Sequence, residues 1–277
     1  MPELPEAETI VQGLAGPVTG QEIQGARILK ADVIQGGASA FRNGVLGRSI
    51  RQVSRRGKNI VLTLDDTRRL VVNLGMSGRL LHRSHQDPSP PPTHPAVIME
   101  LGHGETLVYH DVRRFGRLHL MDAPTYGDWS AGLGPEPLGP RFTAPRLAAD
   151  LARSVSPIRS WLLDQRRVVG VGNIYANEAL HGARIHPQVP ASRIPSSAVP
   201  ALHRSIRKVL RDAIRARGTT LRDYRTAQGG QGSYGTQLRV YGREGEPCHR
   251  CRESIQRIVF GNRSAFLCPG CQPPPEE

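Results

Sequence analysis

Two groups of residues in this 277-residue chain could do chemistry, and they lie at opposite ends of it. Near the start, Pro2 is followed by Glu3 and Glu6. With Met1 removed, as a small second residue generally permits, Pro2 would carry a free secondary amine. Such an amine can attack a carbonyl carbon or the C1′ of a damaged sugar and form a cationic iminium, which is covalent catalysis of the Schiff-base kind. A carboxylate beside it, from Glu3 or Glu6, can act as general acid on a leaving group or a ring oxygen. The plainer alternative is that this stretch only starts a helix, because proline suits a first helical position and carboxylates suit the positive end of the helix dipole.

At the other end all four cysteines fall between 248 and 271. Cys248 and Cys251 form one C-x-x-C, and Cys268 and Cys271 form a second one, with 16 residues between the two pairs. Each C-x-x-C makes a tight knuckle that can bring two thiolates to one tetrahedral metal. Four thiolates leave no open position for water, so one structural Zn2+ is expected, not a catalytic one. Between the pairs, residues 255–260 and 264–267 alternate as two strands around Gly261-Asn262, which predicts a zinc-ribbon hairpin. Two disulfides are the alternative, and they conflict with the reducing compartment argued below.

The charge says what such groups would work on. Lys and Arg number 37 against 24 Asp and Glu, a net charge of +13. A basic chain of this kind most often has a polyanion as partner. Only three of the basic residues are lysines, Lys30, Lys58 and Lys208. A guanidinium cannot be deprotonated in practice, so amine chemistry has few candidates, and Lys58 in the stretch RRGKN is one of them. Hydrophobic residues make up 38%, enough to build cores and to exclude whole-chain disorder. No apolar run reaches the length of about 20 residues that a membrane-spanning helix needs. The acidic, proline-broken opening is unlike a signal peptide, so a cytosolic protein is expected.

The elements that must carry these residues change in character along the chain. A helix starts at Pro5, carries Ile10, Val11 and Leu14 on one face, and ends at Gly16-Pro17. Residues 22–29, 50–54, 59–64, 69–74, 97–101, 106–110 and 117–121 then read as short strands bounded by turn residues, the pattern of a β-sandwich or barrel. A proline-rich loop over 85–95 interrupts them. Beyond a Gly- and Pro-punctuated linker ending at Pro145 the period turns helical over 146–153, 158–165, 174–181 and 199–217. The expected division is therefore a β-sandwich at 1–132 with its flanking helix, a linker at 133–145, a helical segment at 146–235 and a zinc-ribbon hairpin at 236–277. The fold class is α+β and multidomain.

Seven stretches taken in order carry a resemblance. MPELPEAET (1–9), LGMSGRL (74–80), RRFGRL (113–118), LGPEPL (133–138), VVGVGNIYANEAL (168–180), VYGREGEPC (240–248) and NRSAFLCPGC (262–271) are similar to bacterial formamidopyrimidine-DNA glycosylases, a base-excision repair family. Related endonuclease VIII enzymes typically open with Pro-Glu-Gly-Pro-Glu, and Leu4 here points to the purine-lesion branch. The resemblance implies a helix-two-turn-helix segment and a bifunctional glycosylase and abasic-site lyase. It implies that Pro2 is the nucleophile, Glu3 the acid that opens the sugar ring, Glu6 its support, and Lys58 a catalytic lysine near the lesion phosphate.

The lesion nucleotide must leave the stack before C1′ can be reached. By resemblance Met76, Arg113 and Phe115 fill the gap, with Arg114 beside them. A flexible thioether, a hydrogen-bonding fork for the orphaned cytosine and an aromatic wedge suit that task. Arg159, Asn173 and Arg263 are implied to bind the DNA backbone, and Tyr234 closes a loop, 226–234, that corresponds to the one covering the extruded base. Two positions depart from the family pattern. Asn73 stands where histidine often precedes LGMSG, and Ala96 falls near another histidine that often contacts phosphate. The expected partner is double-stranded DNA with oxidised bases or abasic sites, bound by a monomer in the bacterial cytoplasm at the nucleoid. Two other readings remain open on the sequence, an endonuclease VIII-like enzyme for oxidised pyrimidines and a non-catalytic zinc-ribbon protein that binds damage.

Overall fold

The computed structural model describes residues 2–87, 90, 92–220, 224–260 and 263–274. Its contacts separate two compact units, Met1–Gly132 with Ile214–Gly235, and Leu133–Ala213 with Thr236–Glu277.

The first unit opens with α1 (Leu4–Val18), whose N-cap is Glu3. Its buried stripe of Leu4, Ala7, Ile10, Val11 and Leu14 is the face that 3.6-residue periodicity puts inward. The helix runs past Gly16-Pro17, with Pro17 inside its last turn. Pro17 has no N–H to give to the Gly13 carbonyl. The side chain of Gln228 donates to that carbonyl instead, at 2.8 Å, so the break expected from sequence does not occur.

After α1 come β1 (Ile23–Ile28), β2 (Ile34–Gln35), α2 (Ala38–Val45), β3 (Ile50–Arg56), β4 (Asn59–Leu64), β5 (Arg69–Asn73), β6 (Arg79–Arg83), β7 (Pro95–Leu101), β8 (Thr106–His110), β9 (Arg117–Met121) and α3 (Ala123–Ala131). One sheet has the order β1-β7-β8-β6 and the other β2-β9-β5-β4-β3. All pairings are antiparallel except β2 with β9. The two sheets and α1 share one apolar core, including Ile60, Leu62, Val72, Val97, Met99 and Leu118. On the outer face of the second sheet, Val61, Val71 and Met121 are covered by Tyr126 and Trp129 of α3. Strands β2 and β6 and helices α2 and α3 carry weak sequence signals. β6 is an edge strand that buries only Leu80, so it lacks the two-residue alternation that marks a half-buried strand.

The second unit contains α4 (Ala144–Ala152), α5 (Ile158–Leu163), α6 (Asn173–Ala183), the greater part of α7 (Val199–Arg215), and the hairpin of β10 (Gln256–Phe260) and β11 (Arg263–Leu267). Helix α7 buries Leu202, Ile206, Leu210 and Ala213, the one-sided spacing of a surface helix. β10 and β11 pair from Gln256 with Leu267 to Phe260 with Arg263. The Gly261-Asn262 turn expected between them lies outside the described residues, as do Met1 and the last residues of the chain. No helix among the described residues is long and apolar enough to cross a membrane.

Candidate active site

Pro2 is buried at the head of α1, one residue before the N-cap. Glu3 and Glu6 form a capping box, in which the Glu6 carboxylate accepts the Glu3 N–H at 2.8 Å. The other Glu6 oxygen accepts the backbone N–H of Thr219 at 2.7 Å. Glu6 is thus held at both oxygens, and the chain carrying Pro2 and Glu3 is held with it. The sequence reading missed Thr219, because a backbone donor 213 residues away leaves no side-chain signature.

Lys58 sits in the two-residue turn joining β3 to β4, across which Arg56 pairs with Asn59. Gly57 takes φ +60°, which the first position of a II′-type hairpin turn demands and a side chain resists. Arg55 fixes this turn against α1. Its Nε donates to Glu8 at 2.9 Å, and its Nη1 donates to the Gly57 carbonyl at 2.9 Å. The hairpin bearing Lys58 and the helix that follows Pro2 are therefore tied by one guanidinium.

Met76 and Phe115 could have been ordinary core residues, and they are not: they are 41% and 54% exposed. They belong to two loops packed back to back. Gly75 has φ +56°, and a Cβ there would lie 2.5 Å from the Gly116 nitrogen. Only glycine lets the loops approach so closely. The Arg113 guanidinium lies over the Phe115 ring at 4.6 Å, and Arg114 pairs with Asp32 at 3.1 Å. Asp111, 2% exposed, holds the two loops together. One of its oxygens accepts from the Ser77 hydroxyl at 2.6 Å and the Arg113 N–H at 3.2 Å. The other accepts from the Tyr109 hydroxyl at 3.0 Å and the Gly116 N–H at 2.9 Å. Burial, and then the Asp111 charge, keep the Tyr109 phenol protonated far above its ordinary range. Asp111 is a second residue the sequence reading passed over; an acid directly after the apolar strand LVYH was its only signal.

The 226–234 loop belongs to the same unit. Its Ala227 is buried in the sandwich core, and the Ala227 carbonyl accepts the His82 N–H at 3.1 Å. Tyr234 is buried, and its N–H donates to the Gly218 carbonyl at 3.0 Å.

In the second unit Arg159 is 1% exposed, an unusual place for a residue expected to touch DNA. Its Nη2 donates to Asn173 Oδ1 at 2.6 Å and to the Ser264 carbonyl at 2.8 Å, and its guanidinium lies over the Phe260 ring at 4.8 Å. Its Nε is buried without a partner among the described residues. Burial, and then the charge of Arg263, lower the pKa of Arg159. Asn173 begins α6 and also donates to the Ser264 carbonyl, at 3.1 Å. Arg263 is exposed at the start of β11. Arg159, Asn173 and the ribbon strand thus form one hydrogen-bonded group.

One turn along α6, Asn177 Oδ1 accepts the Phe266 N–H at 2.9 Å. Next to it, buried Glu178 accepts the backbone N–H groups of Arg239, Val240 and Tyr241 at 2.9, 3.0 and 2.9 Å. Burial raises the Glu178 pKa, against those three bonds, which favour the charged form. One face of α6 is in this way a polar spine for the ribbon.

The Sγ atoms of Cys248, Cys251, Cys268 and Cys271 all lie within 4.8 Å of one another. Neighbouring pairs at 3.3, 3.6 and 3.9 Å compare with about 3.8 Å for four sulfurs held about 2.3 Å from one tetrahedral zinc. The four are free thiols, so the disulfide alternative falls, and the donor set fits one structural Zn2+. His181 Nε2 lies 3.7 Å from Cys248 Sγ, within reach of that sulfur.

A glycosylase-type catalytic sandwich, a helical segment and a zinc finger are also what comparison with known proteins finds. Residues 1–118 match the formamidopyrimidine-DNA glycosylase N-terminal domain, 133–225 its H2TH domain, and 245–274 the zinc finger found in FPG and IleRS. The formamidopyrimidine-DNA glycosylase of Chloroflexus aurantiacus is 41% identical over 273 residues, covering 98% of each chain. Among solved structures, a Lactococcus lactis variant in complex with Fapy-dG-containing DNA superposes with a TM-score of 0.92 at 32% identity, covering 99% of this chain and 100% of that one. The Lactococcus lactis enzyme with abasic-site DNA gives 0.91 at 32% identity, covering 98% and 100%. The chain belongs to the formamidopyrimidine-DNA glycosylase family.

Proposed function

We propose that the chain excises oxidised purines, 8-oxoguanine and formamidopyrimidines, from duplex DNA and then cleaves the abasic strand, using the Pro2 amine as nucleophile. It is a DNA repair glycosylase and abasic-site lyase that binds damaged duplex DNA. The observation that carries the assignment to Pro2 is its place at the head of α1, next to Glu3 and held by the twice-anchored Glu6.

The chemistry follows from those groups. The Pro2 lone pair forms a bond to C1′ as the bond to the base breaks; the base leaves with the electrons of the broken bond and is protonated, and the alkylated nitrogen gives up its N–H proton. Glu3 protonates the ring oxygen, the ring opens, and the nitrogen becomes an iminium. The iminium acidifies C2′, so loss of a C2′ proton expels the 3′ phosphate. A second elimination expels the 5′ phosphate, and water then hydrolyses the imine and frees Pro2. Lys58 holds the phosphate beside the lesion.

Met76, Arg113 and Phe115 enter the vacated stack, with Arg114 flanking them, and the 226–234 loop with Tyr234 closes over the extruded base. Asn173 and Arg263 bind the backbone, and the Nε of Arg159, which has no partner among the described residues, is a donor that a phosphate oxygen would satisfy. In this division of labour, 1–132 does the chemistry together with 214–235, which packs in the same unit, 133–145 is the linker, and the rest of 146–235 and 236–277 grip the duplex. The ribbon needs its Zn2+, which its four thiolates hold. The protein acts as a monomer in the bacterial cytoplasm, at the nucleoid.

Incubation with an 8-oxoguanine:cytosine duplex and borohydride, followed by peptide mapping, tests this. A covalent adduct at Pro2 is expected. An adduct at Lys58 would keep the lyase and replace the nucleophile. Trapping on thymine-glycol DNA in preference to 8-oxoguanine would move the enzyme to the pyrimidine branch.

A further inference from the structure

We propose that Asn73 is a positioning residue that couples the Lys58 hairpin to the Met76 loop, so that reach into the stack is set relative to the reaction centre. The inference rests on the roles given above to Lys58 and Met76.

Asn73 and Asn59 face each other across the β4–β5 ladder. Their side chains form an unbroken relay. The Gly75 N–H donates to Asn73 Oδ1 at 2.9 Å, Asn73 Nδ2 donates to Asn59 Oδ1 at 2.8 Å, and Asn59 Nδ2 donates to the Arg56 carbonyl at 3.1 Å. One end of the relay is the residue before Met76. The other is the first residue of the turn that contains Lys58.

The polarity of this chain of bonds is not a matter of how the amides are drawn. A backbone N–H can only donate, so it fixes Oδ1 of Asn73 towards Gly75 and leaves Nδ2 for Asn59. A backbone carbonyl can only accept, so it fixes Nδ2 of Asn59 towards Arg56 and leaves Oδ1 for Asn73. Both ends demand the same orientation, and every amide group in the middle is used. Two carboxamides are the side chains that satisfy it, each being donor and acceptor at once.

The two ends depend on the relay unequally. The Lys58 turn is held independently by the β3–β4 ladder and by Arg55. The Met76 loop is bound to Asp111 through Ser77, which ties it to the Phe115 loop; towards the hairpin the β4–β5 ladder ends at Asn73, and beyond that point the Asn73 side-chain bond to Gly75 carries the connection into the loop. Loss of the relay should therefore free Met76 relative to Lys58 and leave Lys58 in place. That matters only for a substrate whose nucleotide must be drawn out of a duplex.

The test compares two substrates. Asn73→Ala is expected to slow single-turnover excision of 8-oxoguanine from duplex DNA by about tenfold or more, the range for a small misplacement near a reacting centre. Strand cleavage at an abasic site in single-stranded DNA, which needs no extrusion, should stay near the wild-type rate. Asn73→Asp keeps size and the Gly75 bond but sets oxygen against Asn59 Oδ1, so it should act in the same direction. Asn59→Ala should reproduce Asn73→Ala, and the double variant should be no slower than either, since one relay can be broken only once.

Equal slowing on both substrates would overturn the proposal by making the effect one of general structure. Normal duplex excision in Asn73→Ala, or single effects that multiply in the double variant, would overturn it as well. A wild-type protein that gives no borohydride adduct would instead remove the roles of Lys58 and Met76, and the relay's purpose with them.

Discussion

The β-sandwich and the zinc ribbon face one problem, holding exposed side chains still on loops, and solve it with different materials. The sandwich has an apolar core drawn from two sheets and a helix, and needs only local polar clasps at its rim, such as Asp111 beneath Met76 and Phe115. The ribbon's own core is Val240, Ile255, part of Phe266 and cysteines. Burying a leucine-sized side chain contributes about 1.5–3 kcal/mol, so three such residues cannot offset the ordering of a hairpin. A structural zinc contributes about 10–16 kcal/mol in small fingers. Metal therefore replaces area, and α6 supplies the remaining anchorage through Asn173, Asn177 and Glu178. A reactive site can be built on the rim of a large core, whereas a small module that only grips must be stapled at each end.

The sharpest way to separate the two regions is to damage each alone. One residue retained ahead of Pro2 converts the amine to an amide. Excision and borohydride trapping should fall by at least about a thousandfold, the order seen when a nucleophile is removed. DNA affinity by gel shift should hold. Trapping at full yield with a mapped, uncleaved extension would falsify the amine hypothesis. Zinc removal by chelation, or Cys268→Ser, should do the converse. DNA affinity should fall about tenfold to a hundredfold, the equivalent of one charge-assisted hydrogen bond of about 1.5–3 kcal/mol. The strand signal of the sandwich in circular dichroism should survive. A metal-free protein with unchanged affinity would show that the ribbon does not need its staple.

What the sequence made legible divides along the same line. The strands at 59–64, 106–110 and 117–121 match the observed β4, β8 and β9, because strong apolar runs end there at turn residues. The cysteine spacing led to one cluster of four thiols for the same kind of reason: local pattern decides it. Contacts that are long in sequence and made by backbone groups left no trace. Thr219 on Glu6, the Tyr241 segment on Glu178 and Ser264 on Arg159 are of that kind. Side-chain type alone could not tell whether Met76 and Phe115 were core or surface; only the resemblance, which has them fill the vacated stack, put them outside. Their exposure depends on the Gly75–Gly116 approach and the Asp111 clasp, which only the folded chain displays.

The two carboxylate clasps give a subtler comparison. Asp111→Ala and Glu178→Ala each leave buried donors unpaired, and each should cost about 1–3 kcal/mol or more of unfolding free energy in denaturant titration. Their functional signatures should differ. Asp111→Ala should slow duplex excision with DNA affinity nearly intact, since it loosens the loops of Met76 and Phe115. Glu178→Ala should weaken DNA binding and ease zinc loss while the adduct at Pro2 still forms on saturating DNA. If both variants lose the adduct equally at saturation, the two regions do not act as separately as argued.

The smallest expected effect is a difference in how the regions answer to pH. In the sandwich, burial, and then the charges of Arg79 and His94, lower the pKa of His110 below its ordinary 6.5. A buried neutral imidazole contributes its full stability above pH 6.5, and loses it as pH falls towards the depressed value and the unfolded chain takes up the proton. In the second unit, burial raises the pKa of Glu178 above 4.5. Its contribution is complete below pH 4.5 and is lost as pH rises through the raised value, because the folded state must then hold a buried charge. The two slopes have opposite signs, and each is at most about 1.4 kcal/mol per pH unit for one group. His110→Phe should therefore flatten the stability profile below pH 6.5, and Glu178→Gln should flatten it above pH 4.5. Thermal unfolding of the three proteins across pH 4 to 8 reads both changes at once. His186, also lowered by burial in the second unit, gives that unit an acid slope of its own, so the variants and not the wild-type profile carry the comparison. If Glu178→Gln left the limb above pH 4.5 unchanged and altered only the profile below it, the carboxylate would be the favoured state in spite of its burial, and the three amide bonds, not desolvation, would set its charge.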